Sequence, residues 1–199
     1  MYSTSSHLST SKLKAAKASG FGLIELMVSI SIMMIVSAVI MAKQSSFNGA
    51  VLLRSQAYEI ALAVREVQMG VVSAESNGAG QFRSVVGVYF NTNSNGTYRI
   101  FKDANNNYYY DAIEEYGKQG FLDPRFEIRA IRANGATMTG TGLSVVFIRP
   151  NFDAKFYDSS GQLNASSVEI DVARKNQNGT STSVQRTIEI TSTGQISVQ

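Results

Sequence analysis

The feature that most restricts the fold is an apolar segment, Gly20 to Ala42, which carries one carboxylate, Glu25, near its start. A helix rises about 1.5 Å per residue, so roughly 20 residues cross the hydrocarbon core of a membrane. Phe21 to Ala42 supplies that length before Lys43. The segment therefore predicts a transmembrane helix. An ionised Glu in such a helix costs on the order of 3 kcal/mol on insertion scales, so we expect Glu25 to need a positive partner.

The residues before this segment indicate its orientation. Residues 1–20 contain Lys12, Lys14 and Lys17 and no acidic residue. Because positively charged flanks stay in the cytoplasm, we expect residues 1–20 to be cytoplasmic and the chain beyond the membrane to lie outside. A secretory signal peptide has a shorter apolar core, followed by a small-residue cleavage site on the far side. Here Gly20 precedes a longer run, so any cleavage is expected on the cytoplasmic side.

Composition predicts one exported domain and argues against several kinds of active site. Three of the 18 Lys and Arg residues lie in 1–20, which leaves 15 basic against 15 acidic residues beyond it. The basic isoelectric point is therefore no sign of nucleic-acid binding. The chain has no Cys, which excludes disulfides and thiolate metal sites. Its one His, His7, precedes the apolar segment, so no Ser-His-Asp set can form beyond it. We predict that the chain is not an enzyme.

The sequence Gly20-Phe21-Gly22-Leu23-Ile24-Glu25-Leu26 resembles the processing motif of type IV prepilins and type II secretion pseudopilins. The resemblance implies a cytoplasmic leader, 1–20, that a membrane peptidase removes after Gly20, and N-methylation of Phe21. It also implies that Glu25 pairs with a terminal amine during filament assembly. Gly22 departs from the pattern, which more often has Thr or Ser there. The alternative is a plain signal anchor in which Glu25 is a tolerated charge near the interface.

The helix is predicted to continue beyond the transmembrane half, 21–42, as an amphipathic soluble half, 43–72. Its apolar face is expected to cover the sheet of the same domain, and a contact with another subunit is the alternative. Gly70 and the Ser-, Asn- and Gly-rich stretch 73–80 predict where the helix ends. The apolar residues at helical spacing are Leu53, Ala57, Ile60, Ala61, Val64, Val67 and Val71.

Residues 81–199 are predicted to form a β-rich head of antiparallel strands, so the fold class is α+β. Short runs rich in β-branched and aromatic residues alternate with Gly, Asn and Ser clusters. Asn178-Gly179 and Thr193-Gly194 are predicted hairpin turns. Seven strands are predicted, at Ser84–Phe90, Tyr98–Lys102, Arg125–Ile131, Leu143–Arg149, Val168–Ala173, Ser183–Thr191 and Gln195–Val198.

A long helix followed by such a head resembles the GspH/FimT group of minor pilins and pseudopilins, most closely over 86–111 and 145–151. That resemblance implies a structural subunit of a type IV pilus or a type II secretion filament, and the two cannot be separated from the sequence. Its implied partners are the prepilin peptidase, other pilin or pseudopilin subunits, the filament assembly machinery and the membrane. The head would lie outside the cytoplasmic membrane and then on an extracellular or periplasmic filament.

One loop has the spacing of a calcium site. Counted from Asp103, oxygen ligands fall at positions one, three, five, nine and twelve, as in an EF-hand loop, although Tyr108 occupies position six, where Gly normally makes the turn. No cofactor is required by this prediction, and calcium is a possible one. The alternative is a turn in which Asn side chains bond nearby backbone. The predicted ligands are Asp103, Asn105, Asn107, Asp111 and Glu114.

Two other functions of the head stay open as alternatives. One is a calcium-dependent adhesive or ligand-binding head on a pilin anchor. The other is DNA binding through a strip of Arg125, Arg129, Arg132 and Arg149. Strand parity argues against the strip, because Arg132 is predicted to point away from Arg125 and Arg129, with Glu127 between those two.

Overall fold

The computed structural model describes residues 20, 22–73, 85–117, 119–140, 142–148, 152–175 and 185–199, except the side chains of 43–47, 72 and 73. Residues 1–19 of the predicted leader, Phe21, the Asn178-Gly179 turn and Arg149 lie outside the described residues. The chain divides into two compact units, residues 1–45 and 46–199.

Helix α1, Leu23–Ser73, is one continuous helix of 51 residues. The two prolines of the chain are Pro124 and Pro150, so every residue of α1 has the backbone N–H that a helix needs. The part of α1 that lies in the first unit includes Leu23–Ala42, which is long and apolar enough to cross a membrane. Its side chains are exposed, as expected of a surface suited to lipid rather than water.

In the described residues, the second unit contains two antiparallel sheets built from eleven short strands. The first sheet has the order β3-β2-β1-β6-β7-β8, and the second has the order β11-β10-β9-β4-β5. A short 3-10 helix, Ala112–Glu114, follows β2. The strands are β1 (Val85–Asn91), β2 (Thr97–Asp103), β3 (Gly120–Phe121), β4 (Phe126–Ala133), β5 (Ala136–Thr137), β6 (Gly142–Phe147), β7 (Ala154–Asp158), β8 (Gly161–Leu163), β9 (Ser167–Arg174), β10 (Gln185–Thr191) and β11 (Ile196–Val198).

The α+β prediction is confirmed: an apolar N-terminal helix is followed by a head of antiparallel sheets. Each of the seven predicted strands overlaps an observed one, and the predicted Thr193-Gly194 turn connects β10 to β11. Gly194 has φ 82°, a left-handed conformation that favours glycine. Sequence analysis missed β3, β5, β7 and β8, of which β3 and β5 have only two residues each.

The core of the second unit lies between α1 and both sheets. The seven apolar residues predicted for one helix face, from Leu53 to Val71, are all buried in it. They share this core with residues of the first sheet, such as Phe147, and of the second sheet, such as Ile170. The prediction that this face covers the sheets of its own domain is therefore confirmed. Burying each Leu, Ile or Val side chain of this face contributes about 1.5 to 3 kcal/mol.

Two buried glutamines bond α1 to loops of the head. Gln68 donates from Nε2 to the carbonyl oxygens of Phe152 and Gly194, each at 2.9 Å. Gln56 accepts the backbone N–H of Asp123 at Oε1, at 2.9 Å. Because buried backbone groups need partners, these two side chains satisfy loop atoms that the sheet ladders do not reach. Their directional hydrogen bonds fix the position of the helix against the head, in addition to the apolar contacts of the core.

Ionisation of Tyr98 is predicted to lower the stability of the head at alkaline pH. Burial, and then the charges of Glu59 and Glu66, raise the pKa of Tyr98 above its ordinary value. Because the pKa is raised in the folded state, the stability that the neutral Tyr98 side chain contributes is present below pH about 10. It is lost as the pH rises through the folded-state pKa. We expect the melting temperature of Tyr98→Phe to fall less steeply than that of the parent chain above pH about 10. The exposed Tyr116→Phe is the control, and identical slopes for the three proteins would contradict the assignment.

Candidate functional site

The predicted processing and assembly residues lie at the start of α1. Gly20 is exposed, and the carbonyl of Gly22 accepts the backbone N–H groups of Glu25 at 3.0 Å and Leu26 at 3.2 Å. These bonds begin the helix at Leu23, three residues after Gly20. Glu25 lies in its first turn, where the positive end of the helix dipole favours a negative charge. Its side chain is exposed on the surface of the segment that is long enough to span a membrane.

Two serines of the same segment form hydrogen bonds from their hydroxyls to carbonyls of the helix, whereas the Glu25 carboxylate has no such partner among the described residues. Ser29 donates to the carbonyl of Glu25 at 2.7 Å, and Ser31 donates to the carbonyl of Met27 at 2.8 Å. In the part of the chain that the structure describes, no side chain pairs with the Glu25 carboxylate. In lipid an unpaired carboxylate is costly, so Glu25 is the group in this segment that requires a partner from another molecule or from a residue outside the described ones.

The buried carboxylates of the predicted calcium loop accept N–H groups of the loop itself. Asp103 accepts the backbone N–H of Asn106 at 2.7 Å and that of Tyr108 at 3.0 Å. Glu114 accepts the backbone N–H of Ala104 at 2.9 Å. Both acids are at most 7% exposed, so these hydrogen bonds replace the water that the charged groups give up. The loop is thus closed by charge-assisted bonds to its own backbone.

The remaining predicted ligands join the same network. Asp111 Oδ2 accepts the side-chain amides of Asn105 at 2.7 Å and Asn107 at 3.0 Å. Asn105 Oδ1 in turn accepts the backbone N–H of Asn107 at 2.9 Å. Tyr108, at position six, has φ 61°, so it adopts the left-handed turn that Gly makes in an EF-hand loop.

The structure therefore brings the five predicted ligands together in one loop, and they are hydrogen-bonded there without a cation. Within the described residues, no group of three or more acidic, His or Cys side chains is placed to hold a metal ion. The arrangement matches the Asn-rich turn that was the alternative to calcium, and calcium binding stays a prediction.

The predicted arginine strip is divided among ion pairs. Arg125 pairs with Asp123 at 2.7 Å, and this guanidinium holds the pKa of the Asp123 carboxyl well below its usual range. Arg129 Nη2 donates to the backbone carbonyl of Arg174 at 2.8 Å and lies 3.9 Å from Glu127. The described arginines of the strip therefore do not present a continuous patch of uncompensated charge.

Strand parity gave the wrong orientation for Arg132. The register of β4 against β9 shifts between Ile128 and Ala130, and this bulge places Arg132 on the same sheet face as Glu127. Burial lowers the pKa of Arg132, but Glu169 and Asp171 outweigh it, so the net pKa is raised. Arg132 pairs with both acids.

Sequence reasoning did not identify two sets of residues that the structure singles out. Gln56 and Gln68 gave no signal, because their partners lie 67 to 126 residues away in the chain. Tyr89 and Arg99 face each other across β1 and β2 and line a groove on the first sheet. The alternation of polar and apolar residues in the two strands was the signal that could have placed them on one face.

Comparison with known proteins identifies one segment. Residues 15–41 match the prokaryotic N-terminal methylation motif. The match covers Gly20, Phe21 and Glu25 together with nearly all of the exposed apolar segment. The chain matches no curated protein and no solved structure.

This motif supports a relationship of the chain to the pilin and pseudopilin superfamily, and it supports processing of the chain as a prepilin. It is a motif of structural subunits rather than of enzymes, and it implies cleavage by a peptidase and assembly with other pilins. Together with the apolar helix, it is consistent with a membrane anchor.

Proposed function

We propose that this chain is a minor pilin or pseudopilin, most similar to the GspH/FimT group, of a type IV pilus or a type II secretion filament. Prepilin peptidase cleaves after Gly20, Phe21 is N-methylated, and the head then lies outside the cytoplasmic membrane. The observation that carries this proposal is the position of Glu25, exposed in the first turn of a membrane-length helix and inside the matched methylation motif.

In this proposal Glu25 sets the register of assembly. The new terminal amine of a neighbouring subunit's Phe21 neutralises the Glu25 carboxylate, and each charge alone would be costly in lipid. A subunit displaced along the filament by one or more helical turns would leave both charges unpaired. The pairing therefore selects one alignment of the apolar helices, which otherwise have similar apolar surfaces along their length.

A second feature of α1 supports packing against other subunits. Val51, Tyr58, Leu62 and Met69 are exposed by 49 to 66%. At 100° per residue, these four positions fall within about 20° of one line along the helix. They are separate from the face that the two sheets of the head bury. We call them the exposed stripe, and we propose that it contacts neighbouring subunits in the filament.

A photo-crosslinker at Leu62 tests this proposal. Benzoylphenylalanine at Leu62 should crosslink to pilin-type subunits in cells, because the stripe is within contact distance of them in the filament. The same residue at the exposed Ala136, on β5 of the second sheet, is the matched control and should give few such products. Mass spectrometry identifies the partners. Equal crosslinking from both positions, or none from Leu62 in cells that assemble filaments, would contradict the proposal.

We also propose that the Asp103 to Glu114 loop takes up calcium, although its own hydrogen bonds hold it without the metal. The oxygen atoms of the five side chains would release the N–H groups whose hydrogen bonds they accept and would coordinate the cation instead. A site with a dissociation constant of about 10 µM would add about 2.7 kcal/mol of stability at 1 mM calcium. We expect calcium to raise the melting temperature of the parent chain and to leave Asp111→Asn unchanged, with magnesium as the control salt. A parent chain insensitive to calcium would leave the loop as a hydrogen-bonded turn.

A further inference from the structure

An open groove of about 360 Å³ lies on the face of the first sheet that points away from the main core. This volume is at the lower end of the range for ligand pockets, which is about 300 to 1,000 Å³. Its floor comes from outward-facing side chains of β1 and β2, and one wall comes from the segment between β2 and β3. None of the residues that process or assemble the chain in the proposed function contributes to it.

The floor of the groove is polar and held in place. Tyr89 and Arg99 are direct partners across β1 and β2, and Asn91 and Thr97 extend the same face. Asn91 Nδ2 donates to the Tyr89 hydroxyl at 2.7 Å, and Asn91 Oδ1 accepts the backbone N–H of Asn93 at 2.7 Å. The floor thus presents amide, hydroxyl and guanidinium groups in fixed positions.

The wall of the groove combines an aromatic ring with a carboxylate. The Tyr110 ring stacks on Tyr89, with centroids 4.7 Å apart and planes inclined by 24°. Its hydroxyl donates to Glu115 at 3.1 Å, and Arg99 forms an ion pair with the same carboxylate. These contacts lock rotamers that a ligand would otherwise have to order, so little conformational entropy is lost on binding.

The charges of the groove restrict what it can bind. Arg99 and Glu115 compensate each other, so neither a phosphate nor a cationic ligand meets an uncompensated opposite charge. An apolar ligand would cover the polar groups of the floor without using the hydrogen-bonding capacity that their contacts within the protein leave open. A ligand with many neutral hydroxyls can instead bond to the amide, guanidinium and carboxylate while its C–H groups contact the tyrosine side chains that line the groove. We propose that this groove binds a short neutral saccharide.

Ligand-observed NMR on the full chain tests the proposal. The detergent must have a zwitterionic head group, because maltosides and glucosides would compete for the groove. The probes are maltotriose, cellotriose, triacetylchitotriose and, as an anionic comparison, a ten-nucleotide deoxythymidine strand. We expect saturation transfer to at least one trisaccharide, with a dissociation constant on the order of 1 mM or below. No transfer to any trisaccharide at ten times that concentration would overturn the proposal.

Two variants locate the binding. Ala112 is exposed and lines the groove, so Ala112→Phe should fill it and weaken trisaccharide binding by at least about tenfold. Ala136→Phe makes the same change at an exposed position on the second sheet and should bind like the parent chain. Thr97→Val removes a groove hydroxyl with little change of shape, so it should also weaken binding. This variant still tests the groove if Ala112→Phe fails to fold. Undiminished binding by Ala112→Phe and Thr97→Val, or displacement of the saccharide by the deoxythymidine strand, would overturn the assignment.

Discussion

Replacing Glu25 by alanine is expected to remove the chain from filaments while leaving it in the membrane. The substitution makes the apolar segment more favourable for insertion, since it deletes a charge that costs on the order of 3 kcal/mol. The same change deletes the partner of the neighbouring terminal amine, which is then left unpaired in the filament core. We expect incorporation into filaments to fall by at least about tenfold, which corresponds to about 1.4 kcal/mol.

Ser29→Ala is the matched control for this prediction. Ser29 lies one helical turn after Glu25 in the same apolar segment, and its hydroxyl bonds to the carbonyl of Glu25 within its own helix. Loss of that hydroxyl removes no group that faces a neighbour's amine, so Ser29→Ala should enter filaments at the parental level. Incorporation is measured by comparing sheared or purified filaments with the membrane fraction. Parental incorporation of Glu25→Ala would contradict the register mechanism.

Among substitutions that leave the shape of a side chain nearly unchanged, Gln68→Glu is expected to destabilise the head most. The substitution replaces an amide that donates to Phe152 and Gly194 with a carboxylate that cannot donate when ionised. Two carbonyl oxygens then face a buried negative charge. We expect the free energy of unfolding to fall by about 2 to 4 kcal/mol at neutral pH.

The pH dependence separates this mechanism from a general packing defect. Burial and the two carbonyls raise the pKa of the introduced carboxyl in the folded state, because only its protonated form can donate. The loss of stability should therefore shrink as the pH falls through this raised pKa, and it should be smallest below about 4.3, the unfolded value for Glu. Thermal unfolding followed by circular dichroism measures both effects, with the exposed Gln162→Glu as control. A loss of stability that is independent of pH would argue for packing instead of the hydrogen bonds.

The long helix and the general form of the head could be predicted because their signals are local. Proline is absent from Leu23–Ser73, and the buried face from Leu53 to Val71 recurs at helical spacing. The longer strands are rich in β-branched and aromatic residues, so most were found. β3 and β5 have two residues each, which is too short for any period to show. Their pairing depends on neighbouring strands rather than on their own sequence.

The candidate sites were predictable to the extent that their residues are close in sequence. The Asp103 to Glu114 spacing predicted that five side chains meet in one loop, and they do, although backbone and side-chain N–H groups of the loop occupy their oxygens. The orientation of Arg132 was not predictable from parity, because one bulge residue in β4 reverses the alternation. Gln68 could not be found from the sequence, since both of its partners are set by the tertiary fold.

The identity of the N-terminal residue tests the central claim most directly. The chain should be recovered from its native membrane with prepilin peptidase active, and its intact mass and N-terminal sequence determined. The account predicts a chain that begins at Phe21 and carries one added methyl group on its terminal amine. A chain that retains residues 1–20 under those conditions would contradict it, because Glu25 would then have no processed amine to pair with in a neighbouring copy.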